Sequence, residues 1–253
     1  MSVLDTMNPQ RVMHYFAEIC AIPHGSGNTQ ALSNYCAAFG RSHGLEVYQD
    51  EAGNVVLIKA ASPGYEDVPA VIVQGHLDMV CDREPGCDLD MTREGLRLRT
   101  DGAYVWAEGT TLGGDDGIAV AMALAALEAE DLPHPRLEVV LTTGEEIGML
   151  GAVELEPAML QGRMMLNIDS EVEGVFTVSC AGGVRATSHV PVAYETVNGV
   201  FCGVIIKGLI GGHSGTEIHK GRANANLLMG RVLSALTAEL PVHLAAVVGG
   251  QAD

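Results

Sequence analysis

The stretch VIVQGHLDMV, residues 71–80, sets both the fold and the chemistry. Val71, Ile72 and Val73 are apolar and β-branched, the composition of a buried strand, and the run breaks at Gly75. His76 and Asp78 follow two residues apart. Extended backbone turns alternate side chains to one face, so an imidazole and a carboxylate project together just past a strand end. In open α/β sheets that rim is where ligands sit. A lone His-x-Asp also occurs in ordinary surface loops. Its weight here comes from the acidic groups that trail other apolar segments.

Upstream of this stretch, Asn8-Pro9 reads as a helix start, and Val12, Tyr15, Phe16 and Ile19 fall at helical spacing. A second amphipathic helix is expected over 29–43. LEVYQD and NVVLIKA read as strands joined by a turn at Ala52-Gly53. Downstream, residues 81–108 read as a long irregular segment rich in acids. After Gly113-Gly114, DDGIAVAMALAALEAE is apolar on nearly all sides, the mark of a buried helix. RLEVVLTTGEE is a strand running into a polar pair, MLGAVELEP a short helix, and RMMLNIDSE a further strand ending in acids.

Strands alternating with helices give an α/β fold with a mixed, largely parallel sheet flanked by helices. Residues 1–184 are assigned to this domain. From about Arg185 the pattern changes: VNGVFCGVIIKGL and VHLAAVVGG read as strands, and ANANLLMGRVLSALTAEL as an amphipathic helix. Residues 185–253 are therefore expected to form a smaller α+β domain. The ending in VHLAAVVGGQAD, with no polar tail, leads to the expectation of a fragment of a longer polypeptide.

Composition narrows the function. The chain has 253 residues, 47% hydrophobic and 18% charged, which fits a globular protein with a sizeable core. Acidic residues outnumber basic ones by 32 to 14, a formal charge of -18. Phosphate binding needs clustered Lys or Arg, so nucleic acid and anionic membrane are excluded as partners. MSVLDTMNPQR carries no secretory pattern, and no apolar run approaches the ~18 residues of a spanning helix. The cysteines are scattered with no C-x-x-C pair, which suits reduced thiols and a cytoplasmic location.

Four places carry the candidate chemistry: His76 and Asp78; Asp115 and Asp116; Glu145 and Glu146; and Asp169. Each has a plainer reading. Asp115-Asp116 and Glu145-Glu146 could serve helix N-termini, and Asp169 with Glu171 could be a solvated turn. A parallel sheet would nonetheless gather all of them at one edge, and clustered carboxylates repel unless a cation joins them. Imidazole with carboxylate oxygen suits borderline and hard dications, and two ions sharing a bridging carboxylate would use such a set fully. Adjacent glutamates face differently, which leaves one free as a base. A dication can lower the pKa of coordinated water to about 7, and a positioned carboxylate then moves its proton.

HLDMV, GTTLGGDDGIAVA, TTGEEIGMLGA, NIDSE and GLIGGHSGTEIHKGRANAN together resemble the bacterial aminoacyl-histidine dipeptidases. These are co-catalytic metallopeptidases of the group that includes carnosinase and carboxypeptidase G. The resemblance implies a zinc-peptidase-like catalytic domain with an inserted lid and dimerisation domain, here truncated, and hydrolysis of Xaa-His dipeptides. It implies two divalent ions, Zn or else Mn or Co. His76 and Asp169 would bind one, Glu146 the other, and Asp115 would bridge them. Asp78 would orient His76, Glu145 would be the general base, and His213 would stabilise the oxyanion. His219, Arg222, Asn224 and Asn226 would grip the peptide's termini, and the lid would pair two copies into a homodimer. The family's further C-terminal histidine ligand has no counterpart here, so weak activity is expected of this chain. Alternatives are an aminopeptidase or deacylase of the same group, and a non-catalytic metal-stabilised dimerisation module. A serine hydrolase is disfavoured because Thr216 replaces the last glycine of G-x-S-x-G.

Overall fold

A computed structural model describes residues 2–249 apart from 171, 180, 181, 183, 185 and 213–216. The chain divides into two compact units, Met1–Val175 and Phe176–Asp253. In the first, helices α1 (Gln10–Cys20) and α2 (Gln30–Ser42) precede strands β1 (Glu46–Gln49), β2 (Val55–Lys59), β3 (Val71–His76), β4 (Leu98–Thr100) and β5 (Val105–Ala107). Helix α3 (Gly114–Glu128), β6 (Leu137–Thr142), α4 (Leu150–Glu154) and β7 (Met164–Asn167) complete it.

The large sheet runs β1-β2-β6-β3-β7. β1 pairs β2, and β2 pairs β6, antiparallel; β3 lies parallel to both β6 and β7. The sheet is thus mixed, as the sequence pattern indicates. Alternation along β2 divides the core. Val55 and Leu57 join β6 residues Val139 and Leu141 under α1, α2 and α3, while Val56 and Ile58 join Val140 on the opposite face with Leu155, Met159 and Leu160. Each fully buried leucine, such as Leu57, Leu124 or Leu141, contributes roughly 1.5–3 kcal/mol by leaving water.

Helix α1 buries Tyr15, Phe16, Ile19 and Cys20 along one stripe. Its first carbonyl belongs to Pro9, which accepts from Met13 N at 3.0 Å, so Asn8 lies one residue too early to cap it. Helix α3 is buried along most of its length, as expected from its apolar composition. The segment read as irregular contains a hairpin, with β4 antiparallel to β5. Its turn is Asp101-Gly102, where the Asp101 carboxylate accepts from the amides of Ala103 and Tyr104. Cys20, Cys36, Cys81, Cys87 and Cys202 are free thiols.

In the second unit, a 3-10 turn (Ile218–Lys220) leads to helix α5 (Ala225–Glu239), capped by Asn224, whose side chain accepts from Leu227 N at 3.1 Å. The strands expected in 197–209 and 242–249 are not formed. Val204 to Ile206 and Val247 to Gly249 instead line a cleft with Met229 and Leu233. A strand requires a neighbour whose ladder satisfies its N–H and C=O groups, and these segments approach without making one. Among the described residues no helix is long and apolar enough to cross a membrane.

Candidate metal centre

The parallel strands decide where the functional groups emerge. In register, His76 stands opposite Thr142 of β6, and Gln74 opposite Asn167 of β7. Two residues past Asn167 is Asp169, level with His76, and the turn after Thr142 delivers Glu145 and Glu146. The three strands therefore discharge their polar residues at one sheet edge.

His76 is 1% exposed. Its Nδ1 lies 2.9 Å from the carbonyl oxygen of Asp78. A carbonyl can only accept, so Nδ1 carries the proton and Nε2 is the nitrogen left for the site. Nε2 is 2.9 Å from Asp115 Oδ1 and 3.9 Å from Asp169 Oδ2. Donor atoms of His76, Asp115 and Glu146 all lie within 4.8 Å of one another.

Asp115 and Asp116 reach the site through a break in helical geometry. Gly113 takes φ +68°, open to glycine at no steric cost, and both aspartates have non-helical φ/ψ before the regular helix begins. Both aspartates stand in the first turn of α3, where an acid also suits the helix N-terminus. Asp115 faces the site with 61% of its side chain exposed, whereas Asp116 is 2% exposed beneath β3. Asp116 Oδ2 accepts from the backbone N of His76 at 3.0 Å. Gly75 makes room for it, since a Cβ there would stand 2.7 Å from Asp116 Oδ2. This buried support was not foreseen. The signal was a glycine directly before the histidine, together with two adjacent acids of which only one can face a ligand.

Glu145 and Glu146 sit in the turn after β6, five and four residues ahead of the helix start at Leu150, too early to serve as that helix's acidic first turn. Their backbone amides donate to Asp78, Glu145 N to Oδ1 at 3.0 Å and Glu146 N to Oδ2 at 3.3 Å. Asp78 thus touches His76 through two groups. Its carbonyl orients the imidazole, while its carboxylate stands 3.6 Å from Nδ1 and is engaged with the glutamate turn.

The electrostatics follow from many carboxylates around one imidazole. Burial works against charging His76, but hydrogen bonds from its nitrogens to Asp115 and Asp78, with the nearby Asp116 charge, outweigh it and push the pKa up to about 11. Burial raises Asp116 to about 7. Burial also raises Glu145 and Glu146, reinforced by neighbouring carboxylates. Asp78 goes the other way, to about 2: burial opposes its charge, but bonds from His76, Glu145 N and Ser26 prevail. Such a cluster is short of positive charge.

The donors fit a dication. Two ligands of one ion with bonds near ~2.1 Å lie no more than about 4.2 Å apart, which accommodates the 2.9 and 3.9 Å separations around Nε2. Imidazole nitrogen with carboxylate oxygens is a set that Zn, Mn and Co accept alike.

A pH prediction follows. His76 and Asp116 both have folded pKa values above their ordinary ones of 6.5 and 3.8. Each contributes stability at low pH that is lost as pH rises, for Asp116 between about 4 and 7 and for His76 between about 6.5 and 11. The metal-free chain should therefore lose stability from pH 6 to pH 9. A dication replaces those protons, so the rise in Tm on adding zinc should be larger at pH 8 than at pH 6, measured by thermal unfolding with zinc or chelator.

Other expected residues lie elsewhere. His213 falls outside the described residues. In the second unit, His219 is exposed in the 3-10 turn, and the Arg222 guanidinium pairs with Glu217 at 2.6 Å. Asn224 caps α5, and Asn226 is in its first turn. His43 is exposed, His134 is half-buried in a loop, and His24 is a loop residue only 3% exposed. Its Nδ1 bonds the carbonyl of Ile22 at 2.6 Å, and its buried Nε2 has no hydrogen-bond partner.

No family model matches the sequence. The chain is 41% identical over 257 aligned positions to the cytosol non-specific dipeptidase of Escherichia coli K12, covering 99% of this chain and 52% of that protein. Its structure resembles the aminoacylhistidine dipeptidase of Vibrio alginolyticus at TM-score 0.68 and 35% identity, over 94% of this chain and 49% of that one. A tripeptidase from Staphylococcus aureus matches at TM-score 0.56 and 26% identity, over 65% of this chain and 44% of that one. The chain spans about half the length of the first two relatives. By sequence and by fold, it is similar over nearly its whole length to the cytosol non-specific dipeptidase of Escherichia coli and the aminoacylhistidine dipeptidase of Vibrio alginolyticus.

Proposed function

We propose that the protein hydrolyses dipeptides, Xaa-His among them, at a dinuclear metal centre built on His76, Asp115, Glu146 and Asp169. The observation that carries this reading is the meeting of His76, Asp115 and Glu146 donor atoms within 4.8 Å at the ends of parallel strands. Both relatives are dipeptidases by name, which supports the substrate class.

When bound, divalent ions, zinc foremost, supply Lewis acidity for the peptide carbonyl and acidify water. The chain's own residues do the rest. His76 presents Nε2, fixed by the Asp78 carbonyl. On the motif resemblance Asp115, whose side chain is 61% exposed, would be shared between two ions. Glu145 takes the proton from the attacking water as the new C–O bond forms, and returns it to the amine nitrogen as the C–N bond breaks. Its carboxyl, raised by burial, is better matched to accept that proton near neutral pH than an ordinary glutamate. His213 is assigned to the oxyanion, and His219, Arg222, Asn224 and Asn226 to the peptide termini, on the motif resemblance alone. The same resemblance assigns a homodimer, and the relative's name supports a cytosolic location.

The test is dipeptide hydrolysis, alanyl-histidine and β-alanyl-histidine included, by metal-loaded and chelator-treated protein. Hydrolysis that chelation abolishes and zinc restores is expected. Chelator-resistant hydrolysis would contradict the metal assignment. Folding lost on chelation, with no hydrolysis in either state, would favour a metal-stabilised module.

A further inference from the structure

Residues 24–26 run beside the segment that leaves β3. Met79 N donates to His24 O and Ser26 N to Met79 O, each at 3.2 Å, and Gly25 bridges Met79 in parallel. This contact sets the Ser26 hydroxyl against Asp78, with Oγ donating to Oδ2 at 2.8 Å. The Asp78 side chain is wholly buried, and its carboxylate also receives Glu145 N and Glu146 N. One carboxylate therefore joins three stretches of chain.

We infer that Ser26 is a positioning residue that acts through Asp78 to fix the Glu145–Glu146 turn. The inference rests on reading Glu145 and Glu146 as the working pair of the site. A buried carboxylate holds its rotamer only while its lone pairs are satisfied, and donors to a charged acceptor are the strong ones. Of the two donors on Oδ2, Ser26 Oγ is the nearer, at 2.8 Å against 3.3 Å for Glu146 N. Without that hydroxyl, Asp78 keeps one short bond, and the glutamate turn gains freedom to drift from the other donors. Displacements of about 0.5 Å are enough to spoil such a constellation. Ser26 is half-buried on a loop and outside the hydrophobic core clusters, so its loss should leave the sheet intact.

Residue-resolved amide exchange by NMR on the metal-free chain tests this directly. In Ser26→Ala the Glu145 and Glu146 amides should exchange about tenfold faster, while those of Val139, Val140 and Leu141 in β6 stay as in the parent. Ser26→Thr, which keeps the hydroxyl, should restore the slow rates. Unchanged exchange at Glu145 and Glu146, or acceleration in step with β6, would overturn the inference. In a parallel zinc competition against a chelating dye, Ser26→Ala should bind about tenfold more weakly, and Ser26→Thr like the parent. If exchange behaves as expected but the parent chain binds no zinc, the positioning role stands and the metal reading falls.

Discussion

Glu145→Gln is expected to lower dipeptide hydrolysis about 100- to 10,000-fold, the range a positioned proton-transfer group contributes, while zinc affinity stays unchanged. Glutamine keeps the size and polarity of the side chain, so the turn held by Asp78 through the backbone amide should survive. What disappears is the capacity to take a proton from water and return it to the leaving amine. The pH profile supplies a second readout. Protonating Glu145 removes the base, so the parent's activity should show an acid limb. In the variant that limb should vanish. A Glu145→Gln variant that keeps parent-like hydrolysis would remove Glu145 from the mechanism.

Asp115→Asn should be the most damaging change to ion binding. Partners behind metal ligands already cost 10- to 100-fold in affinity when lost, so removing the charge of a carboxylate with the bridging role proposed for Asp115 should cost at least about 100-fold. The substitution also replaces the charged acceptor 2.9 Å from His76 Nε2 with a neutral one, weakening one of the main influences that keep that imidazole protonated. The His76 pKa should therefore fall, and with it the high-pH loss of stability in the metal-free chain. Zinc titration against a competing chelator, with NMR titration of the histidines, checks both consequences. Parent-like zinc affinity in Asp115→Asn would exclude it as a ligand.

The fold was readable wherever local pattern and tertiary need agreed. The apolar runs of β2 and β6 and the apolar α3 are buried in the structure as composition demands, whereas Val71, Ile72 and Val73 of β3, read as a buried strand, are half-buried beside the exposed β7. The hairpin of β4 and β5 was overlooked because its strands are three residues each and lie among charges, although Asp101-Gly102 was a turn signal. In residues 197–209 the pattern is strand-like and the ladder absent, because pairing depends on a neighbour that a local reading does not contain.

For the candidate site, residue type and position at the ends of apolar segments were enough to single out His76 and Asp78, the pairs Asp115-Asp116 and Glu145-Glu146, and Asp169, whereas the ligand set within them came from the motif resemblance. The supports were not legible. Ser26 meets Asp78 across 52 residues of sequence, and Asp78 meets Glu145 across 67. Asp116 looked equivalent to its neighbour until the backbone break at Gly113 turned one acid outward and buried the other under Gly75. Such contacts depend on tertiary geometry, whereas ligand types announce themselves through chemistry.

The central claim is that side chains from separate strands share bound cations. X-ray diffraction from zinc-loaded crystals, collected above and below the zinc absorption edge, tests it most directly. The account predicts anomalous peaks about 2.0–2.2 Å from His76 Nε2 and from carboxylate oxygens of Asp115, Glu146 and Asp169. Well-ordered density for these four residues with no anomalous peak among them, or with zinc bound only elsewhere, would contradict it.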